Sequence, residues 1–109
     1  MEDIEYTIID VPDMNDSLSP LTLNDKAYYI RFTYNDTKDY WTFGLYDDLE
    51  EPIVQGIKIV PRAVLTLFFG ARKVLGGFFF CISSLDRIGR NDFADGKATF
   101  AYVSKDQYV

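Results

Sequence analysis

The sequence of 109 residues contains no histidine and a single cysteine, Cys81. Without histidine it lacks the commonest general base, the usual proton shuttle and the favoured zinc ligand. Ser-His-Asp and Cys-His arrangements cannot be built, and the Cys and His ligands of a structural zinc site are missing. One cysteine forms no internal disulfide. It lies in the apolar run Gly77-Phe78-Phe79-Phe80-Cys81-Ile82, where a small buried hydrophobe is expected in place of a reactive thiol. Bases are scarce as well. Eleven Lys and Arg face seventeen Asp and Glu, a net charge of −6. Nucleic acid is therefore not expected as the main partner, because backbone binding needs clustered Lys and Arg. No apolar run approaches the ~20 residues of a membrane helix, so no membrane contact is expected. Met1 is followed by Glu2, Asp3 and Glu5, the opposite of a basic signal-peptide start. The expectation is a protein kept in the cytoplasm where it is made, or packed from there into a particle. Sequons at Asn15 and Asn35 carry little weight without a secretory signal.

What the chain has in quantity is rings. Nine Phe, eight Tyr and one Trp are ordered along a chain long enough for one modest core. Rings favour pleated, half-buried surfaces, and Tyr and Trp also favour interfaces. A Phe-rich β core and ring surface buried against neighbours both fit this composition. Charge is divided along the chain. Residues 1–51 carry thirteen acids and three bases, whereas residues 52–109 carry four acids and eight bases. Either the halves pair within one fold, or opposed patches meet between subunits.

Short apolar runs separated by turn residues recur, as expected of one all-β domain over residues 1–109. Residues 5–11 form the first run, stopped by Pro12. Met14 to Ser19 reads as polar and turn-like. Pro20 to Leu23 alternates and ends at Asn24-Asp25, a hairpin signal. Tyr28, Ile30, Phe32 and Tyr34 then share one strand face, with Tyr29, Arg31 and Thr33 on the other. After the turn at residues 35–39, Trp41, Phe43 and Leu45 alternate with Tyr40, Thr42 and Gly44, completing a second hairpin. Residues 47–52 form an acidic connection. Ile53, Ile57 and Ile59 appear in phase on the next strand, where Gly56 marks a bulge or close approach. Residues 62–69 fit a short helix or turn, and equally a short strand. Phe78–Ile82 and Ala98–Val103 are the last strands. The fold class is mostly β: a compact antiparallel barrel or sandwich of about six strands with at most one short helix.

Candidate chemistry is thin. Asp47, Asp48, Glu50 and Glu51 match a solvated turn far better than a glycosidase pair, whose carboxylates face each other across a cleft. Asp13-Met14-Asn15-Asp16-Ser17 fails as a calcium loop, having Leu18 at the glycine position and Asn24 at the terminal glutamate. Residues 70–77 lack the Gly-Lys-Ser/Thr of a phosphate loop. No catalytic residue, metal or cofactor is implied. Arg72, Lys73, Arg87 and Arg90 form a conceivable basic patch, so a small barrel binding single-stranded nucleic acid or sugar is the competing reading. Arg87 and Arg90 also flank Gly89 beside Asp86 and Asp92, consistent with a loop that satisfies its own charges.

The order Trp41, Phe43-Gly44-Leu45-Tyr46-Asp47 and Glu51-Pro52-Ile53-Val54-Gln55-Gly56-Ile57-Lys58-Ile59-Val60 resembles the small plug proteins of contractile-tailed phage and prophage baseplates. Leu65, Leu67, Phe68 and Phe69, then Gly77 to Ile82, then Asn91-Asp92-Phe93, Gly96 and Phe100-Ala101-Tyr102-Val103 continue the pattern, over about residues 25–104. Arg87-Ile88-Gly89-Arg90 matches nothing in it. The resemblance implies a structural virion component, made in the bacterial host cytoplasm and placed at the tail tip among hub, spike and tube proteins, with a homo-oligomer also open. Trp41, Phe43, Tyr46, Arg87, Arg90 and Tyr102 are the candidate packing and interface residues.

Overall fold

The computed structural model describes residues 6–62 and 77–104. Seven strands and no helix occur among them: β1 (Thr7–Ile9), β2 (Asp16–Leu23), β3 (Lys26–Asn35), β4 (Tyr40–Asp47), β5 (Pro52–Lys58), β6 (Gly77–Ser83) and β7 (Ala98–Ser104). They form two antiparallel sheets, ordered β1-β7-β6 and β2-β3-β4-β5. The barrel alternative is thus corrected to a sandwich. Among the described residues, one isolated parallel bridge, Pro61 to Cys81, links the segment after β5 to the first sheet. Proline has no N–H to extend a ladder, so the bridge does not propagate. The expected helix or turn at residues 62–69 lies, from residue 63 on, outside the described residues; Arg62 itself is in a turn.

Local chemistry explains the large sheet. Asn24 and Asp25 take positive φ values of 52° and 67°, the conformation of a two-residue hairpin turn matched to strand twist. Asn35 holds the next turn, its side-chain oxygen accepting the N–H groups of Thr37 and Lys38 at 3.1 and 3.0 Å. Tyr28, Ile30 and Phe32 are buried while Arg31 is exposed, the alternation that the strand period requires.

Two expectations change. β2 begins at Asp16, inside the stretch read as turn-like, because eight consecutive residues pair with β3. Partnering, more than propensity, makes a strand of a serine-rich segment. On β5, Val54 and Ile57 are the buried pair, and Ile53 is only half-buried. Phe43 faces Ile57 and Leu45 faces Val54, so two residues of β5, Gln55 and Gly56, oppose Gly44 alone. Gly56, at φ 65°, accommodates that bulge, and the extra residue shifts which isoleucine faces inward.

The inner faces meet through rings. Phe100 of β7 lies 5.1 Å from Phe32, 5.0 Å from Phe43 and 5.4 Å from Phe79 between centroids. Edge-on and offset geometries suit the ring quadrupoles. Ile30, Trp41, Leu45, Ile59 and Cys81 are as fully buried, and burial pushes the Cys81 thiol up to about 11. Trp41→Ala is expected to destabilise the fold by about 3–5 kcal/mol, read as a lowered urea midpoint; an unchanged midpoint would place the indole outside the core.

Candidate functional site

One end of the sandwich is closed by the loop between β6 and β7, residues 84–97. Its shape comes from hydrogen bonds of its own backbone and of the Asp92 carboxylate. Asp92 accepts the Gly89 N–H at 2.6 Å, and the Asp92 carbonyl accepts the N–H groups of Lys97 and Ala98 at 2.9 and 3.1 Å. Ile88 is buried, and Phe93 meets the Trp41 ring edge-on at 5.8 Å. The Trp41 indole N–H donates to the Gly89 carbonyl at 3.0 Å, which lets a polar ring be buried without an unpaired donor.

The two loop arginines reach outward from this anchor. Arg87 donates to the Asp39 carbonyl at 2.7 Å and pairs with its carboxylate, which also accepts the Tyr34 hydroxyl. That hydrogen bond holds the Tyr34 phenol above its usual pKa. Arg90 donates to Asp13 at 2.7 Å and to Asn15 at 2.5 Å, and its guanidinium stacks over Trp41 at 5.5 Å. The expectation of a loop that neutralises its own charges is therefore corrected. Its arginines neutralise carboxylates 48 and 77 residues away, while only Asp92 serves the loop itself. Asp86 pairs loosely with Arg62 at 3.7 Å. Arg72 and Lys73 lie outside the described residues.

The outer face of the four-stranded sheet carries a second arrangement. Arg31 grips Asp16 through two bonds of 2.8 and 2.6 Å, a bidentate pairing that lowers the Asp16 pKa and raises that of Arg31. Tyr46 lies across Gly44, where a β-carbon would come within 3.3 Å of its hydroxyl. A hollow of about 380 Å³ opens here, lined by Asp16, Leu18, Arg31, Tyr46 and Glu50. It is shallow, and Asp16 and Arg31 on its rim are already paired with each other. Beside it, Asp47 accepts the N–H groups of Leu49 and Glu51, both at 2.9 Å, so one acid shapes the acidic turn while Asp48, Glu50 and Glu51 face solvent.

The structure places the six candidate residues in three settings. Trp41, Phe43 and Tyr102 are buried, Tyr102 receiving a 2.9 Å hydrogen bond from Asn24. Arg87 and Arg90 brace the closing loop, and Tyr46 sits half-buried on the outer face. Asp13, Asp39 and Asp16 were not singled out as partners, since nothing in their spacing announces contacts so distant in sequence. Among the described residues, no group of three or more Cys, Asp or Glu side chains is arranged to hold a metal ion.

Losing Arg90 removes two charge-assisted hydrogen bonds and a ring contact, so Arg90→Ala is expected to cost about 1–2 kcal/mol and to shift Trp41 fluorescence. Arg87→Ala, at a more exposed pair, is expected to cost less than about 1 kcal/mol; equal losses would contradict the geometry. The Asp16–Arg31 pair stabilises the fold above the ordinary carboxylate pKa, and that contribution disappears as pH falls through the lowered folded value. In Arg31→Ala, carboxyl NMR should find Asp16 titrating back toward 3.8.

Compared with known proteins, residues 5–105 match the model of a family described as "Cyanophage baseplate Pam3 plug gp18". No curated protein matches the chain.

Proposed function

The chain belongs to this baseplate plug family and is a structural, non-enzymatic protein of the phage tail baseplate, and from that membership we propose that it packs among hub, spike and tube proteins to help close the tail channel. One observation carries the proposal: the rings of both inner faces are spent on a continuous core, with Trp41, Phe43, Phe79 and Phe100 all nearly inaccessible. Such a molecule acts through outer contours of fixed shape. A baseplate part that must hold its form before contraction gains from that rigidity, because ordered surfaces lose less freedom on docking.

In this reading the six candidate residues divide by task. Trp41, Phe43 and Tyr102 hold the sheets together, Arg87 and Arg90 fix the closing loop, and Tyr46 offers a ring to a neighbour. Tyrosine suits such a contact, being large, stiff and amphipathic. The single-stranded nucleic acid alternative loses support, because Arg31, Arg62, Arg87 and Arg90 each face a carboxylate and offer little uncompensated charge to phosphates.

Incorporation into purified tails tests the proposal. Tyr46→Ala should fold normally yet be depleted from baseplates by about tenfold, the effect of a contact worth roughly 1.4 kcal/mol. Wild-type occupancy would remove Tyr46 from the interface, and cross-links to none of the hub, spike or tube proteins would sink the proposed placement.

A further inference from the structure

Among the described residues the two sheets have four terminal strands, and three carry features that discourage a further strand. On β2, the Tyr34 N–H donates to the Asn15 carbonyl at 2.8 Å. With the observed register, odd-numbered residues therefore bond to β3, and Pro20 turns its nitrogen to solvent. A strand added there would meet a position without a donor. The β5 edge begins at Pro52 and is bent by the Gly56 bulge. The β6 edge is covered near Cys81 by Pro61 and by Arg62, whose N–H donates to the Cys81 carbonyl at 2.9 Å. Only the β1 edge, among the described residues, has no proline, glycine, bulge or covering segment. Its sequence is Thr-Ile-Ile, all β-branched, and Ile8 is 66% and Tyr6 48% exposed. Proteins normally blunt such edges, and here shortness alone, three residues, does so.

We propose that the outer edge of β1, uncovered among the described residues, accepts an extended segment of a neighbouring tail protein as a fourth strand of the three-stranded sheet. Three residues of pairing supply few backbone bonds, so side chains must add to them, and the surroundings are suited to this. A hollow of about 160 Å³ beside β1 has apolar walls in Ile9, Val11, Phe93 and Phe100 and polar ones in Asp10 and Thr99, room for one side chain of mixed character. On the opposite sheet face, Ile8 aligns with Ala101 and Phe80 in one cross-strand row, and Tyr6 meets Phe80 edge-on at 5.9 Å. An incoming residue would extend this apolar row. In sequence, β1 is flanked by Glu5 and Asp10. The occupant is therefore an apolar, alternating strand with Lys or Arg at its ends. A second copy fits less well, since it would bring the acidic flanks of two chains of charge −6 along one seam.

The inference rests on the baseplate reading, and the test separates the two. Hydrogen exchange would be followed at the Thr7–Ile9 amides in the isolated protein and in purified baseplates. Ile8→Cys would be cross-linked in the same particles through the thiol at position 8; buried Cys81 stays silent. The expected result is exchange slowed by at least about tenfold on assembly, with cross-links to a base-flanked apolar segment of a different tail protein. Unchanged exchange in baseplates that contain the chain would overturn strand addition while leaving the baseplate reading standing. Cross-links to a second copy would overturn the choice of partner, and absence of the chain from baseplates would remove both readings.

Discussion

The contact on which the rest of the molecule depends is the packing of Phe100 against Phe32, Phe43 and Phe79. It joins β7 to its sheet neighbour and to two strands of the other sheet at one point. A sandwich of this size has no second core to fall back on, and neither sheet can shield its apolar face alone. The strand order, the register of the β3–β4 hairpin and the bulge at Gly56 all serve to deliver side chains to that point. Had β5 kept strict alternation, Val54 and Ile57 would lie on opposite faces, and one of them would be lost to the core.

Burying Trp and Tyr rings brings polar atoms inside, and the fold meets that requirement with loops. The Trp41 indole donates to Gly89, and the Tyr102 hydroxyl accepts from Asn24. Each bond ties the ring core to a connection far away in sequence. The closing loop is thus held by the same ring that the core holds, and Arg90 adds a charged layer over that indole. Rigidity in an irregular segment follows from these anchors, which is what a part acting through its surface requires.

Much of the strand order could be read in advance, because alternation and turn chemistry are local signals. The Asn24-Asp25 turn, the β3–β4 hairpin, the bulge and the buried Cys81 were all legible. Residues 16–19 of β2 were hidden, since a serine-rich segment becomes a strand only when a partner strand defines it. The choice between barrel and sandwich was also beyond local signals, for it turns on whether the ladder continues past Pro61. The ion-pair partners were the least legible. Asp13 and Asp39 look like turn residues in sequence, and only the sandwich brings them to Arg90 and Arg87.

The charge division along the chain resolves through those same contacts. Arg87 and Arg90 belong to the basic half, Asp39 and Asp13 to the acidic half, and the two pairs stitch the halves together at the Trp41 end. Within the acidic half, Arg31 is already committed to Asp16. Pairing inside the fold therefore uses up arginines and leaves exposed Asp10, Asp25, Asp36, Asp48, Glu50 and Glu51. The surplus lies at turns and strand ends, where a like-charged copy is repelled and a basic neighbour is favoured. The same arginine pairs that secure the core thus set where that surplus lies.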